Sequence, residues 1–418
     1  MSADRVLQSV TCLGCGCGCD DLTVRVRNGR IVELSPPCPL AKRWFGDGTV
    51  PHETRVDGRP ATIEKAIEAA AGVLSGAGRP MVLIAPDLTT QAQRTAIAVG
   101  DILRAEVDGA TSDSAAAGIL VAQRRGRAAA TLGELRNRAD VLLFWAVDPS
   151  ERYPRYLERY AAAASSTHVR RRTLLSVSVG TDRGPGEAEL KAEFTPGEEV
   201  NALAVMKATV RGQRLGELPP RLRPAVAIAE RLMKGTYVAI VHDAEAGRDA
   251  RDAQRTESLV ALAQVLNGPT RAALSSLRAG GNRSGAEAAL TWQTGFPMRV
   301  SFREGHPRSR SGRSGLDRLR SGGADAVLVA GSVAALEGPG LALDKVPCVV
   351  IGPGASAVAG ARVAIDTGIA GIHEPGTGYR MDDVPLPLAS VLENPRAAAE
   401  TLGLLLGALR RGAAGRAR

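Results

Sequence analysis

Residues 63–103 read IEKAIEAAAGVLSGAGRPMVLIAPDLTTQAQRTAIAVGDIL, and three patterns follow one another within them. Apolar residues from Ile63 to Leu74 recur at helical spacing, Met81-Val82-Leu83-Ile84 is a short apolar run, and Gln91 to Leu103 returns to helical spacing. A short apolar run bounded by turn signals, between two amphipathic helices, predicts a buried strand of a parallel sheet and an α/β fold. The alternation recurs further on. Ala139 to Trp145 leads into a helix over Tyr153 to Ala164, and Thr173 to Val177 forms the next strand. A helix ending near Lys234, a strand Tyr237 to Val241, a helix Thr256 to Leu266 and a strand Arg271 to Leu274 make a second unit. Ala326 to Ala330, Cys348 to Ile351 and Val363 to Ile365 make a third, divided by turns such as Gly338-Pro339-Gly340 and Gly352-Pro353-Gly354. Leu388 to Leu409 reads as a long terminal helix with a basic, frayed tail reaching Arg418. The expected division is a cysteine-bearing domain over 1–60 and α/β units over 61–180, 181–280 and 281–418.

Five of the six cysteines lie at 12, 15, 17, 19 and 38, and Cys348 stands apart. Such crowding is not a disulfide framework; in a long chain it points to metal. Cys12-x2-Cys15-x3-Cys19-x18-Cys38 supplies four thiolates, the number required by a [4Fe-4S] cluster or a tetrahedral zinc ion. The x2, x3 spacing favours the cluster, and Cys17 is the extra member. Gly14, Gly16 and Gly18 are expected to let the loop wrap at positive φ and bring amide donors near sulfur. Between the third and fourth thiols, Leu22 to Val26 and Ile31 to Leu34 flank Asn28-Gly29, a hairpin signal.

Composition excludes several classes. With 418 residues and 44% hydrophobic content the chain is an ordinary globular protein. Its net charge of +9 rests on arginine spread along the chain, with Lys only at 42, 65, 191, 207, 234 and 345, and aromatic content is 3%. Scattered arginines with few stacking platforms do not describe a nucleic-acid footprint, although they suit an acidic partner. No apolar run is long enough to span a membrane, and Met1 to Val10 lacks the build of a secretory signal, which places the protein in the cytoplasm.

Other candidates read as structural. Gly331-Ser332, Gly352-Pro353-Gly354 and Asp366 follow strands, where α/β folds make phosphate contacts, but glycine at strand ends more often serves the turn alone. His52, His168, His242, His306 and His373 form no paired ligand spacing. Trp145 and Trp292 are expected in the core. There is no nucleophile elbow or P-loop.

The cysteine loop with Cys38-Pro39-Leu40 resembles the amino-terminal cluster motif of the formylmethanofuran dehydrogenase B subunits, a family within the molybdopterin and tungstopterin oxidoreductases. The resemblance continues through Thr131-Leu132-Gly133-Glu134, Trp145, Asp148-Pro149, Tyr153-Pro154-Arg155, Gly281-Asn282, Leu290 to Pro297 and Gly376 to Pro385. It implies a multi-domain molybdopterin oxidoreductase-like core lacking the C-terminal β-barrel. It also implies that Cys12, Cys15, Cys19 and Cys38 hold a [4Fe-4S] cluster, with zinc as the alternative. Where catalytic members carry a Cys or selenocysteine that binds the metal, followed by His, this chain has Ser114 and Ala115. A hydroxyl is a poor ligand for a soft metal, and alanine handles no proton. In that departure the chain is similar to the B subunit of the bacterial formyltransferase/hydrolase complex. It implies a non-catalytic scaffold in tetrahydromethanopterin-linked one-carbon metabolism, without tungstopterin or molybdopterin. The implied partners are a formyltransferase subunit, an amidohydrolase-type A subunit and a C subunit. The alternative is an active subunit interconverting CO2 and formylmethanofuran, which the complete cysteine set favours.

Overall fold

The computed structural model describes residues 4–162, 169, 171–245, 250–310, 312–336, 343–393 and 396–416. The expected helix end at Ala164, His168, the Gly338-Pro339-Gly340 turn and the tail at Arg418 lie outside the described residues. The chain gathers into two compact units, one of 1–111, 280–380 and 385–418, the other of 112–279 and 381–384.

The larger unit is built on a nine-stranded sheet. Its order is Arg308–Ser309, Val300–Ser301, Glu106–Gly109, Pro80–Ile84, Ala326–Ala330, Cys348–Ile351, Val363–Ile365, Thr54–Val56, Arg59–Pro60. The strands from Glu106–Gly109 through Val363–Ile365 run parallel, and those beyond them are antiparallel. Alternation explains why the central strands are apolar throughout. Val82, Ile84, Leu328, Ala330, Val349 and Ile351 face helices Ile63–Ser75, Thr90–Ile102 and Ala398–Arg416. Met81, Leu83, Val327, Val329, Cys348 and Val350 pack on the opposite face, so the isolated Cys348 is a core residue.

A three-stranded antiparallel sheet, Arg5–Val10, Leu22–Arg27 and Arg30–Ser35, carries the cysteines. The expected hairpin is present, with Asn28 and Gly29 at φ 51° and 73° as a two-residue turn requires. Residues 5–10 add a strand that the two-stranded expectation lacked, because RVLQSV has no clean alternation and pairs through an irregular register.

The smaller unit has a five-stranded, all-parallel sheet in the order Leu190–Phe194, Thr173–Val179, Val141–Trp145, Tyr237–Asp243, Arg271–Leu277. Helices Glu199–Val210, Arg223–Met233 and Ala250–Leu266 contribute to its core.

The α/β alternation holds, while three expectations are corrected. The four consecutive blocks give way to two discontinuous units, because strand Ala326–Ala330 inserts beside Pro80–Ile84. The terminal helix begins at Ala398, and Pro385–Leu388 instead pairs with Gly376–Tyr379. The helix expected over Tyr153 to Ala164 is a short π-helical turn, Leu157–Ala161.

Candidate functional site

The cysteine loop is closed on itself and fastened from outside. The Cys12 N–H donates to the Cys19 carbonyl at 2.8 Å, and the Gly14 N–H donates to Cys12 Sγ at 3.2 Å. Cys12, Cys17 and Cys19 are buried, and Cys15 and Cys38 are half-buried. Cys38 precedes helix Pro39–Phe45 and accepts the Lys42 N–H at 2.9 Å. Burial pushes the Cys12 thiol well up; the Gly14 amide opposes this, and neighbouring Cys15, Cys19 and Cys38 add to it. The four predicted residues thus share one neighbourhood. Among the described residues, however, no three Cys, His, Asp or Glu side chains are placed to hold a metal ion.

The glycines act differently from expectation. Among Gly14, Gly16 and Gly18, only Gly18 has positive φ, 50°. Gly14 is required by close approach instead, since a Cβ there would meet the Leu40 carbonyl oxygen at 2.6 Å. Behind the loop lies a feature sequence reasoning quoted without explaining. Gly281 N–H donates to the Leu13 carbonyl at 2.7 Å, and any Cβ on Gly280 would strike the Gly14 carbonyl. Fully buried Asn282 donates to Leu88 O at 3.1 Å and Thr90 Oγ1 at 3.0 Å, and accepts from Tyr379 N–H at 2.8 Å. The Gly280-Gly281-Asn282 run, separated by two residues from strand Arg271–Leu277, was the available signal, because a buried Asn implies a backbone cross-link.

In the smaller unit, Ser112 caps helix Asp113–Arg125 by accepting the Ala115 N–H at 3.0 Å. Ser114 follows in the first turn, 4% exposed, with its Oγ 2.7 Å from Thr256 Oγ1 on helix Ala250–Leu266. The seam is tight there, since a Cβ on Gly118 would lie 3.3 Å from the Thr256 methyl. The hydroxyl at the expected ligand position is therefore spent within a helix–helix contact, and Ala115 beside it is buried.

The strand-end candidates are satisfied internally. Asp366 accepts from Ser356 N–H at 2.9 Å, Ser356 Oγ at 2.6 Å and Glu53 N–H at 2.9 Å. Gly331 and Gly352 lie against one another with no room for side chains. Trp145 is core as expected; Trp292 is not, being 60% exposed and edge-on to Tyr379 at 5.7 Å. Its helix turns Ala289, Leu290 and Thr294 inward, which leaves position 292 outward.

His52 and His306 are exposed. His373 accepts the Ile369 N–H on Nδ1 and so donates from Nε2 to the Gly48 carbonyl at 2.8 Å. His242 is fully buried, with Nε2 2.8 Å from Ser276 Oγ. Burial, then Arg255, Arg127 and Arg278, bring its pKa down from 6.5 to about 3. Between those values the unfolded chain binds a proton that the folded one does not, so stability falls as pH drops, by about 1.4 kcal/mol per pH unit. Asp87, fully buried in the larger unit and raised by desolvation to about 6, acts with the opposite sign between its ordinary value and 6. His242→Gln is expected to flatten the acid loss of the smaller unit. Urea midpoints at pH 7 and pH 5 measure it, and an unchanged slope would refute this assignment.

No protein-family model matches the chain. The B subunit of the tungsten-containing formylmethanofuran dehydrogenase 2 of Methanocaldococcus jannaschii is 29% identical over 412 residues, covering 94% of this chain and 95% of that protein. Its namesake in Methanococcus maripaludis is 26% identical over 418 residues, with the same coverage of each. A chain from the crystal structure of the formyltransferase/hydrolase complex of Methylorubrum extorquens with methylofuran superposes with a TM-score of 0.70. That match has 24% identity and covers 86% of this chain and 99% of that one. At this identity it shows a shared fold. The likeness to the formylmethanofuran dehydrogenase B subunits therefore runs through nearly the whole chain, beyond the motifs that first indicated it.

Proposed function

We propose that this chain, a relative of the formylmethanofuran dehydrogenase B subunits, serves as the non-catalytic B subunit of a cytoplasmic formyltransferase/hydrolase complex in tetrahydromethanopterin-linked one-carbon metabolism. The observation that carries the proposal is Ser114. A ligand to tungsten or molybdenum must direct its donor into an open centre, whereas this hydroxyl lies 2.7 Å from Thr256 Oγ1 in a buried seam. The residues present do not fit a tungstopterin or molybdopterin centre, and no reaction step is assigned to one. The chain's role is then to keep its molybdopterin oxidoreductase-like core folded and hold the formyltransferase subunit, an amidohydrolase-type A subunit and a C subunit.

The cysteine loop fits an iron-sulfur cluster better than zinc. The x2, x3 spacing of Cys12, Cys15 and Cys19 supports this, and Cys15, Cys19 and Cys38 lie near enough to raise the Cys12 thiol. Cys12, Cys15, Cys19 and Cys38 would hold the cluster, with the Gly14 amide directed at the Cys12 sulfur. When bound, such a group supplies either electron transfer or a structural link between the loop and Cys38. The second reading, an active tungsten enzyme, draws on this intact cysteine set and on the tungsten named for both relatives.

Elemental mass spectrometry and fluorescence of oxidised pterin on the anaerobically purified complex separate the two. Formate release from a formylated carrier without tungsten, molybdenum or pterin is expected. One such metal per chain with pterin would overturn the scaffold reading.

A further inference from the structure

Seven arginines fall within residues 299–320, against Glu304 and Asp317 as the acids of that segment. Several converge on Glu106, whose side chain is 7% exposed near one edge of the nine-stranded sheet. Arg318 approaches it with Nε at 2.6 Å and Nη2 at 3.0 Å, Arg303 with Nη2 at 3.3 Å, and Arg310 through Nη1. Three guanidinium groups carry about fifteen N–H donors, and one carboxylate accepts about four. Most of these donors therefore point elsewhere, and Arg303 Nε is buried without a hydrogen-bond partner. Arg313 lines the same recess and is exposed. Asp108 lines the same recess, and its two oxygens accept the Arg299 and Gly315 backbone N–H groups at 3.2 and 2.7 Å.

The recess has a volume of about 10 Å³, far below the several hundred Å³ of a small-molecule site. A ligand must lie along the surface. The outermost strand, Arg308–Ser309, pairs on one side with Val300–Ser301, and among the described residues its other edge has no strand beside it. An open edge beside guanidinium groups suits an extended peptide bearing carboxylates, the group that Arg303 and Arg310 already take from Glu106 and that exposed Arg308 takes from exposed Glu304 at 2.8 Å. The strip includes no exposed aromatic on which a base could stack, which disfavours nucleic acid. We propose that Arg303, Arg308, Arg310 and Arg313 form a docking strip for an acidic, extended segment of a partner polypeptide. This stands apart from whether the chain retains a redox centre.

The test uses the full chain and a fluorescent Asp- and Glu-rich peptide, followed by anisotropy at low and physiological salt. Arg308→Gln/Arg313→Gln removes two exposed side chains, so folding is preserved; urea midpoints verify this. It is expected to weaken binding about tenfold and to reduce the salt dependence. The control Arg214→Gln/Arg223→Gln, on the smaller unit, is expected to bind as the parent does. Absence of binding, equal weakening in the control, equal affinity for single-stranded DNA, or displacement by inorganic phosphate beyond its ionic-strength effect would each overturn the proposal.

Discussion

On the proposed cluster assignment, Cys19→Ala is expected to remove the iron and, with it, several kcal/mol of stability, because metal-binding energy at a site the unfolded chain lacks is folding energy. Cys19 closes the loop through its carbonyl, which accepts the Cys12 N–H at 2.8 Å, and that backbone bond survives the substitution. Any loss of metal is then attributable to the sulfur. The informative comparison is Cys17→Ala. Cys17 is fully buried and lies within the same loop, but it is outside the four-thiol set. It is expected to keep its iron and to lose about 1 kcal/mol through the small cavity left by the sulfur. Iron and zinc per chain, with electron paramagnetic resonance of the reduced protein, measure both. Equal metal in Cys19→Ala and the parent would refute the four-thiolate assignment; zinc in place of iron would keep the ligands and change the group.

The strands most accurately read from sequence are those buried on both faces. Met81-Val82-Leu83-Ile84 and Ala326 to Ala330 needed only local pattern, since every position must be apolar when helices cover both sides. What could not be read was their adjacency. Val82 and Leu328 sit opposite one another in neighbouring strands although 246 positions separate them, and nothing local encodes that pairing. The terminal helix was overextended for a related reason. Leu388, Val391 and Leu392 are all buried, but Leu388 ends the strand Pro385–Leu388 and the other two close a loop through Ile372. Pro385 and Pro387, just before Leu388, mark that segment as an edge strand. At the candidate site, spacing singled out the four cysteines as candidates. The partner that occupies Ser114 was invisible, because Thr256 lies on a helix whose register against Asp113–Arg125 is set by packing.

Glu199→Ala is expected to destabilise the smaller unit by about 3–5 kcal/mol, the cost of removing one member of a buried ion pair. Glu199 is 2% exposed, at the start of helix Glu199–Val210. It accepts the indole N–H of Trp145 at 2.7 Å and pairs with Arg255, whose side chain is 8% exposed. Trp145 ends the central strand Val141–Trp145 and stacks on Phe194 at 6.3 Å, so one carboxylate joins the middle of the sheet to two helices. Asp182 also approaches Arg255, at 3.4 Å, but is 43% exposed and compensates weakly. Replacing both members removes the buried ion pair as a whole, so Glu199→Ala/Arg255→Met is expected to be more stable than Glu199→Ala alone. Urea unfolding of parent, single and double variants measures the order. A single variant within about 1 kcal/mol of the parent would show that the remaining contacts of Arg255 suffice for its charge. In that case the tryptophan bond, worth about 1 kcal/mol, would be the main contribution of Glu199.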